Sequence, residues 1–159
     1  MRFLWFGKKA TKVSPVEVEV ERTPVEVFSV SGFVIESNPT PGNKKTELSH
    51  STINSMVLSV LSEATSPADI AAQEFFQERG ANVLPIISYS FSADRGFSAR
   101  VVDGAITRTV LIGPVEAISR ATTPFCPSIA AATQSSPESF VVAIDGIAYA
   151  AFTLSSELI

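Results

Sequence analysis

The sequence holds one histidine and one cysteine, so chemistry that needs an imidazole or a thiol has one place for each. His50 lies between Ser49 and Ser51, and a hydroxyl beside an imidazole is the starting material of acyl transfer. That chemistry also needs a carboxylate to orient the ring, and the pattern places none there. A solvated histidine at a helix start accounts for the residue. Cys126 stands between Phe125 and Pro127. A reactive thiol sits beside a cation or a base; this context predicts a buried small residue instead. No ligand spacing of a zinc-type site occurs, and neither common glycine-rich phosphate loop is present. A small hydrolase built on Ser29 or Cys126 is the remote reading that remains.

Bulk properties narrow the classes further. The 159 residues are 45% hydrophobic, which suits one domain, or one domain plus a fragment of another, with a substantial core. Twelve basic residues face sixteen acidic ones for a net charge of −4. The basic residues are scattered, which argues against a nucleic-acid partner. With one cysteine no intrachain disulfide forms, in keeping with a reducing compartment. Mean hydropathy is +0.27, yet no apolar run approaches the roughly 20 residues that span a bilayer. The apolar start, residues 1–7, is too short for a signal-peptide core and lacks a cleavage site. It reads as a loosely ordered or self-packed terminus. The sharper reading is a membrane-surface or partner contact through Phe3, Trp5 and Phe6, backed by Lys8 and Lys9.

The elements that must position any site are organised around residues 82–120. Apolar, β-branched runs cover residues 83–91, 97–102 and 106–112. Asp103-Gly104 between the last two predicts a hairpin with positive φ at both turn positions. Residues 92–96 form an irregular polar turn. After Gly113, Pro114 suits the first turn of a short helix, where its missing N–H is not needed. Upstream, residues 16–20 alternate valine and glutamate as a half-buried strand does. Residues 25–30 resume the alternation, Gly32 interrupts it, and residues 33–35 continue as an apolar triplet. Residues 37–46 carry Pro39, Pro41 and Gly42 and read as a hinge or linker. Residues 47–63 predict an amphipathic helix. Ser66 caps a second helix with Pro67 at its first position and Asp69 against its dipole, and Gly80 closes it. Residues 122–137 form a long loop with a short helix around Ile129. Residues 140–144 and 147–154 flank Asp145-Gly146 as a second hairpin. Helices and strands do not alternate one by one, so the fold class is α+β with an antiparallel sheet of about six strands and helices packed on it.

This order of elements, with these residues, resembles the nucleotide-binding domain of a P-type cation-transporting ATPase. Ser66-Pro67-Ala68-Asp69 is similar to the family's Asp-Pro-Thr-Glu helix start. Phe91-Ser92-Ala93-Asp94-Arg95 resembles its Phe-Ser-x-x-Arg-Lys segment. Ile112-Gly113-Pro114-Val115-Glu116 resembles Lys-Gly-Ala-Pro-Glu, and residues 141–158 resemble the strands that lead back to the phosphorylation domain. The resemblance divides the chain into a tail at 1–15, strands like the phosphorylation-domain edge at 16–36, a hinge at 37–46 and a nucleotide-binding-like domain at 47–159.

The same resemblance implies nucleotide-binding positions at Phe91, Asp69, Arg95 and Gly113. Phe91 takes the place of the ring that stacks on adenine, against the plainer reading of a core phenylalanine. Such stacking is worth ~1–3 kcal/mol per base in nucleic-acid cases. Asp69 matches a carboxylate that accepts from the adenine amine. Set against the family, the catalytic parts are degenerate. Ser29 falls on the phosphorylated aspartate and Val30 on the lysine beside it, so the carboxylate nucleophile and its cation are missing. Gly96 and Ile112 replace two lysines of the pocket. Arg95, Arg100 and backbone N–H groups at the Pro114 helix remain for phosphate. The implied cofactor is ATP or ADP, bound weakly or not at all, with no Mg2+ held by this chain alone, no catalytic residue and no metal site. The implied location is cytoplasmic, in or associated with a membrane protein. The chain reads either as part of a longer ATPase, partnered by its other domains, or as a stand-alone remnant. The alternative is a protein-interaction module on the same scaffold without nucleotide.

Overall fold

The computed structural model describes residues 24–159. Expectations for the tail, for the Phe3-Trp5-Phe6 contact and for a strand at 16–20 lie outside the described residues. Among the described residues six strands form one antiparallel sheet: β1 (Glu26–Ile35), β2 (Ile86–Ser92), β3 (Gly96–Asp103), β4 (Ile106–Pro114), β5 (Phe140–Ile144) and β6 (Ile147–Leu158). Their spatial order is β1-β6-β5-β4-β3-β2, so β1 and β2 are the outer strands. Helices α1 (His50–Leu61) and α2 (Pro67–Glu78) cover one face. Helices α3 (Val115–Ser119) and α4 (Pro127–Ser135) cover the other. The α+β class and the six-stranded antiparallel sheet are as expected from the element order.

Double coverage explains why the inner strands lack alternation. In β5, Val142 and Ile144 face α1 and α2, while Val141 and Ala143 face α3 and α4. Both faces are dry, so both sets must be apolar. On the first face Phe33, Phe75, Phe76 and Phe152 meet edge to face at centroid distances of 5.1–5.6 Å. Each such pair is worth about 0.5–1.5 kcal/mol beyond its area. The Arg79 guanidinium lies 3.7 Å from the Phe75 ring centre and closes the cluster.

Several boundaries differ from expectation, for identifiable reasons. The sequence pattern of residues 25–35 is interrupted at Gly32. They are one strand paired with β6, with a register shift between Val30 and Gly32 that absorbs the extra residue as a bulge. This places residues 26–35 in the same sheet as the rest of the domain. Helix α1 starts at His50 rather than Glu47, because Ser49 is the cap and accepts from the Thr52 N–H. It is also not two-faced: every residue from Ile53 to Leu61 is buried. Its buried Ser55 and Ser59 accept from the N–H groups of Asn82 and Leu84 at 3.0 and 2.7 Å. Those N–H groups are therefore unavailable to a ladder, and Pro85 has none. So β2 begins at Ile86, not Val83. Pro114 ends β4 and caps α3 in an extended conformation, instead of occupying the first helical turn. Strand β6 runs on to Leu158, four residues past the expected Leu154, because β1 extends beside it.

Residues 37–46 are tied to the sheet. The Tyr149 hydroxyl donates to the Thr46 carbonyl, and the Leu48 N–H bonds the Ser37 carbonyl at 2.9 Å.

Candidate functional site

The site is built from the β2–β3 hairpin and the start of α2. A three-residue loop, Ala93 to Arg95, joins Ser92 to its partner Gly96. Gly96 has φ +88, the left-handed position that closes such loops. The Ser92 hydroxyl donates to Asp94 at 3.0 Å and accepts from the Arg95 N–H at 3.2 Å. The Ser92 hydrogen bond, with help from backbone N–H groups, holds the exposed Asp94 carboxyl below its ordinary range. The loop reversal makes Phe91 and Phe97 direct cross-strand partners, with ring centres 4.8 Å apart. Tyr89 lies two residues back on the same side, 6.1 Å from the Phe97 ring.

Helix α2 starts as expected. Ser66 accepts from the Asp69 N–H at 3.1 Å and donates to the Asp69 carboxylate at 2.6 Å. Pro67 is the first helical residue. Gln73 reaches back to the Leu61 and Ala64 carbonyls at 2.6 and 3.1 Å. These two bonds tie α2 to the end of α1 and the turn that joins them.

Between these parts lies a cleft of about 380 Å³. Its walls are Tyr89, Phe91 and Phe97 from the hairpin, and Glu63, Ser66 and Asp69 from the α1–α2 turn and α2. Among the described residues no lysine, arginine or histidine lines it. Phe91 is 58% exposed, so the core reading of this ring does not hold; it forms a wall. Phe97 beneath it is buried. The Tyr89 hydroxyl has its pKa raised, first by burial and then by the charges of Asp69 and Glu63.

Of the residues singled out from the sequence, Phe91 and Asp69 meet in this cleft. Arg95 does not. It lines a second cleft of about 490 Å³ with Arg120, Asp94, Glu116 and Pro114. Gly113 packs under the loop: a Cβ there would stand 2.2 Å from the Arg95 carbonyl oxygen, and one on Gly96 would stand 2.2 Å from that of Ile112. Arg100 lies on β3 opposite Ser88 and Thr109 and lines neither cleft. Ser29 sits in β1 opposite Ser155, with the hydroxyls 3.5 Å apart. His50 is the exposed first residue of α1. Cys126 caps α4, half-buried, 3.5 Å from the Ser128 hydroxyl. Among the described residues no group of acidic, histidine or cysteine side chains is arranged to hold a metal. No described helix is long and apolar enough to cross a membrane.

Glu63, Tyr89 and Phe97 were not singled out from the sequence. For the two aromatics a signal existed: Phe91 and Phe97 are symmetric about the polar turn, and Tyr89 is two residues from Phe91. For Glu63 there was none, because its place depends on how α1 meets α2.

No family model matches the sequence, and no curated protein does. Solved structures do match its fold. The N-domain of HMA6, a copper-transporting P-type ATPase, superposes with a TM-score of 0.59 at 16% identity, over 80% of this chain and 98% of that domain. The N-domain of HMA8, also a copper-transporting P-type ATPase, gives 0.58 at 17% identity, over 80% and 99%. The catalytic domain of the CPx-ATPase CopB-B gives 0.55 at 14% identity, over 84% of this chain and 39% of that one. The chain thus has the fold of a P-type ATPase N-domain, and it spans well under half of that catalytic domain.

Proposed function

We propose that the chain is a P-type-ATPase-like nucleotide-binding module with degenerate catalytic positions. It binds adenine nucleotide weakly or not at all and transfers no phosphoryl group of its own. The observation that carries this reading is the cleft at Phe91. An exposed ring beside the Asp69 carboxylate suits a base, which needs only an open π face and an acceptor. The CopB-B catalytic domain is described as changing conformation upon nucleotide binding, which supports the same use of the fold. Against tight binding stands the charge of the walls. Glu63 and Asp69 oppose a polyphosphate, and Arg95 belongs to the other cleft. Mg2+ would then come only with the nucleotide. In this reading Ser29 marks the lost phosphorylated position, and the physiological partners are the remaining domains of an ATPase at a membrane's cytoplasmic side.

Titration with ATP and ADP, followed by amide chemical shifts, tests the proposal. Weak binding that is lost in Phe91→Ala and hardly changed by Mg2+ supports it. Micromolar, Mg2+-dependent affinity overturns the degenerate reading. Acid-stable label on Ser29 from γ-labelled ATP, abolished by Ser29→Ala, overturns the claim of no phosphoryl transfer.

A second reading, a protein-interaction module without nucleotide, is favoured by one observation. Outer strand β2 carries no charged residue from Ile86 to Ser92, and charge is the usual guard of a sheet edge.

A further inference from the structure

The cleft at Phe91 combines two features that together select one kind of group. Its apolar walls are aromatic: Tyr89, Phe91 and Phe97. Its ionisable walls, apart from the Tyr89 hydroxyl, are two carboxylates, Glu63 and Asp69. Aromatic faces attract cations through their quadrupole, and carboxylates attract them by charge and by hydrogen bonding. A guanidinium satisfies both, because it stacks flat on a ring while its edge donates to carboxylates. The Tyr89 hydroxyl of the same cleft has its pKa raised, first by burial and then by the charges of Asp69 and Glu63.

The border of the cleft adds a direction. Tyr89 and Phe91 sit on β2, which ends the sheet, and among the described residues only β3 pairs with it. Val83, Ile87 and Phe91 are mostly exposed along this border. An extended chain laid against β2 would find backbone partners, apolar contacts and the anionic cleft together. The carboxylates are free to take part. Glu63 is exposed, and Ser66 engages one oxygen of Asp69.

We propose that β2 and this cleft bind an extended basic peptide, with an arginine side chain seated between the Phe91 ring and the carboxylates of Glu63 and Asp69. The proposal goes beyond the nucleotide reading, since it assigns the cleft a cationic protein ligand.

The test uses the full chain and an amidated pentapeptide of alternating valine and arginine. A counterpart with citrulline for arginine keeps the shape and removes the charge. Amide chemical shifts follow the titrations. The expected result is shifts confined to β2 and to residues near Ser66, with the citrulline peptide about tenfold weaker. Glu63→Gln and Phe91→Ala are each expected to weaken the arginine peptide by roughly three- to tenfold. Both positions are exposed, and an unchanged spectrum elsewhere verifies the fold of each variant. Equal binding of the citrulline peptide, unchanged affinity in Glu63→Gln, or shifts away from β2 would overturn the proposal. MgATP shifting the Phe91 amide at lower concentration than the peptide does also overturns it, while leaving the nucleotide reading in place. Peptide binding without any ATP binding supports it and removes that reading.

Discussion

Two clefts draw on the β2–β3 hairpin, and they share no lining residue. One has aromatic walls and two carboxylates. The other mixes Arg95 and Arg120 with Asp94 and Glu116, so its charges compensate locally. Phe91 and Arg95 are only four positions apart in the chain, close enough to suggest a base platform with its phosphate clamp. The three-residue loop separates them. Phe91 lies in the paired strand and faces α2, whereas Arg95 lies at the loop and faces α3 and the turn after it. A base stacked on Phe91 would lie in a cleft whose described lining holds two carboxylates and no guanidinium group. Two like charges at 4 Å cost about 1 kcal/mol even in bulk water and about 4 kcal/mol near a protein surface. Proximity along the chain is thus a poor guide to membership of one site when a reversal intervenes.

The largest expected effect comes from crowding the close approach of Gly96 and Gly113 beneath the β2–β3 loop. Gly96→Ala and Gly113→Ala each drive a methyl into backbone, and Gly96 is strained as well by its positive φ. Each should cost more than about 3 kcal/mol, measured as a lower urea midpoint at unchanged slope. A loss below about 1 kcal/mol would show that the backbone there gives way to a methyl group. Next in size is Ser59→Ala, which orphans the Leu84 N–H and should cost about 1–3 kcal/mol. Amide exchange should quicken at Leu84 and along β2 while the Arg95 cleft is unaffected. Equal quickening at Arg120 would mean that the two clefts are not mechanically separate.

Smaller still is the stability change in Phe91→Ala, about 1 kcal/mol or less, since the ring is exposed and keeps chiefly its pairing with Phe97. Nucleotide binding at the aromatic cleft should nevertheless be lost and the arginine peptide weakened roughly three- to tenfold, whereas Arg95→Gln should leave both within about twofold. The reverse pattern would assign the site to the other cleft. The smallest effect is electrostatic. Asp94 has a lowered folded pKa, so its contribution is present above the unfolded value and is lost as pH falls through the folded one. Ser92→Ala removes the leading cause, and the carboxyl should titrate closer to its ordinary range by NMR. No movement would mean that the loop's backbone N–H groups alone hold it.

Legibility differed between features of the same kind. Asp103-Gly104 and Asp145-Gly146 both carry the sequence signal of a hairpin turn. In the second, Asp145 and Gly146 are the two loop residues and both have positive φ, at +52 and +82. In the first, Asp103 still pairs, with Ile106, so the loop is Gly104-Ala105 and only Gly104 has positive φ. Sequence located both reversals but could not set the register of the first. That depends on Phe97 to Val102 matching Thr107 to Ile112 across the strand. The caps at Ser66 and Pro67 were legible for the opposite reason: their partners lie within three residues.

The sequence by itself determined the elements, their order, the α+β class and the chemistry available at Phe91, Asp69 and Arg95. These rest on interactions over a few residues, namely alternation, caps and turns, which a linear reading can follow. Only the tertiary structure decided that Glu63 and Asp69 would face Phe91 while Arg95 would not. That choice depends on sheet order, strand register and the angle at which α1 and α2 lie on the sheet. It is settled by the packing of the whole core, and no local propensity encodes it.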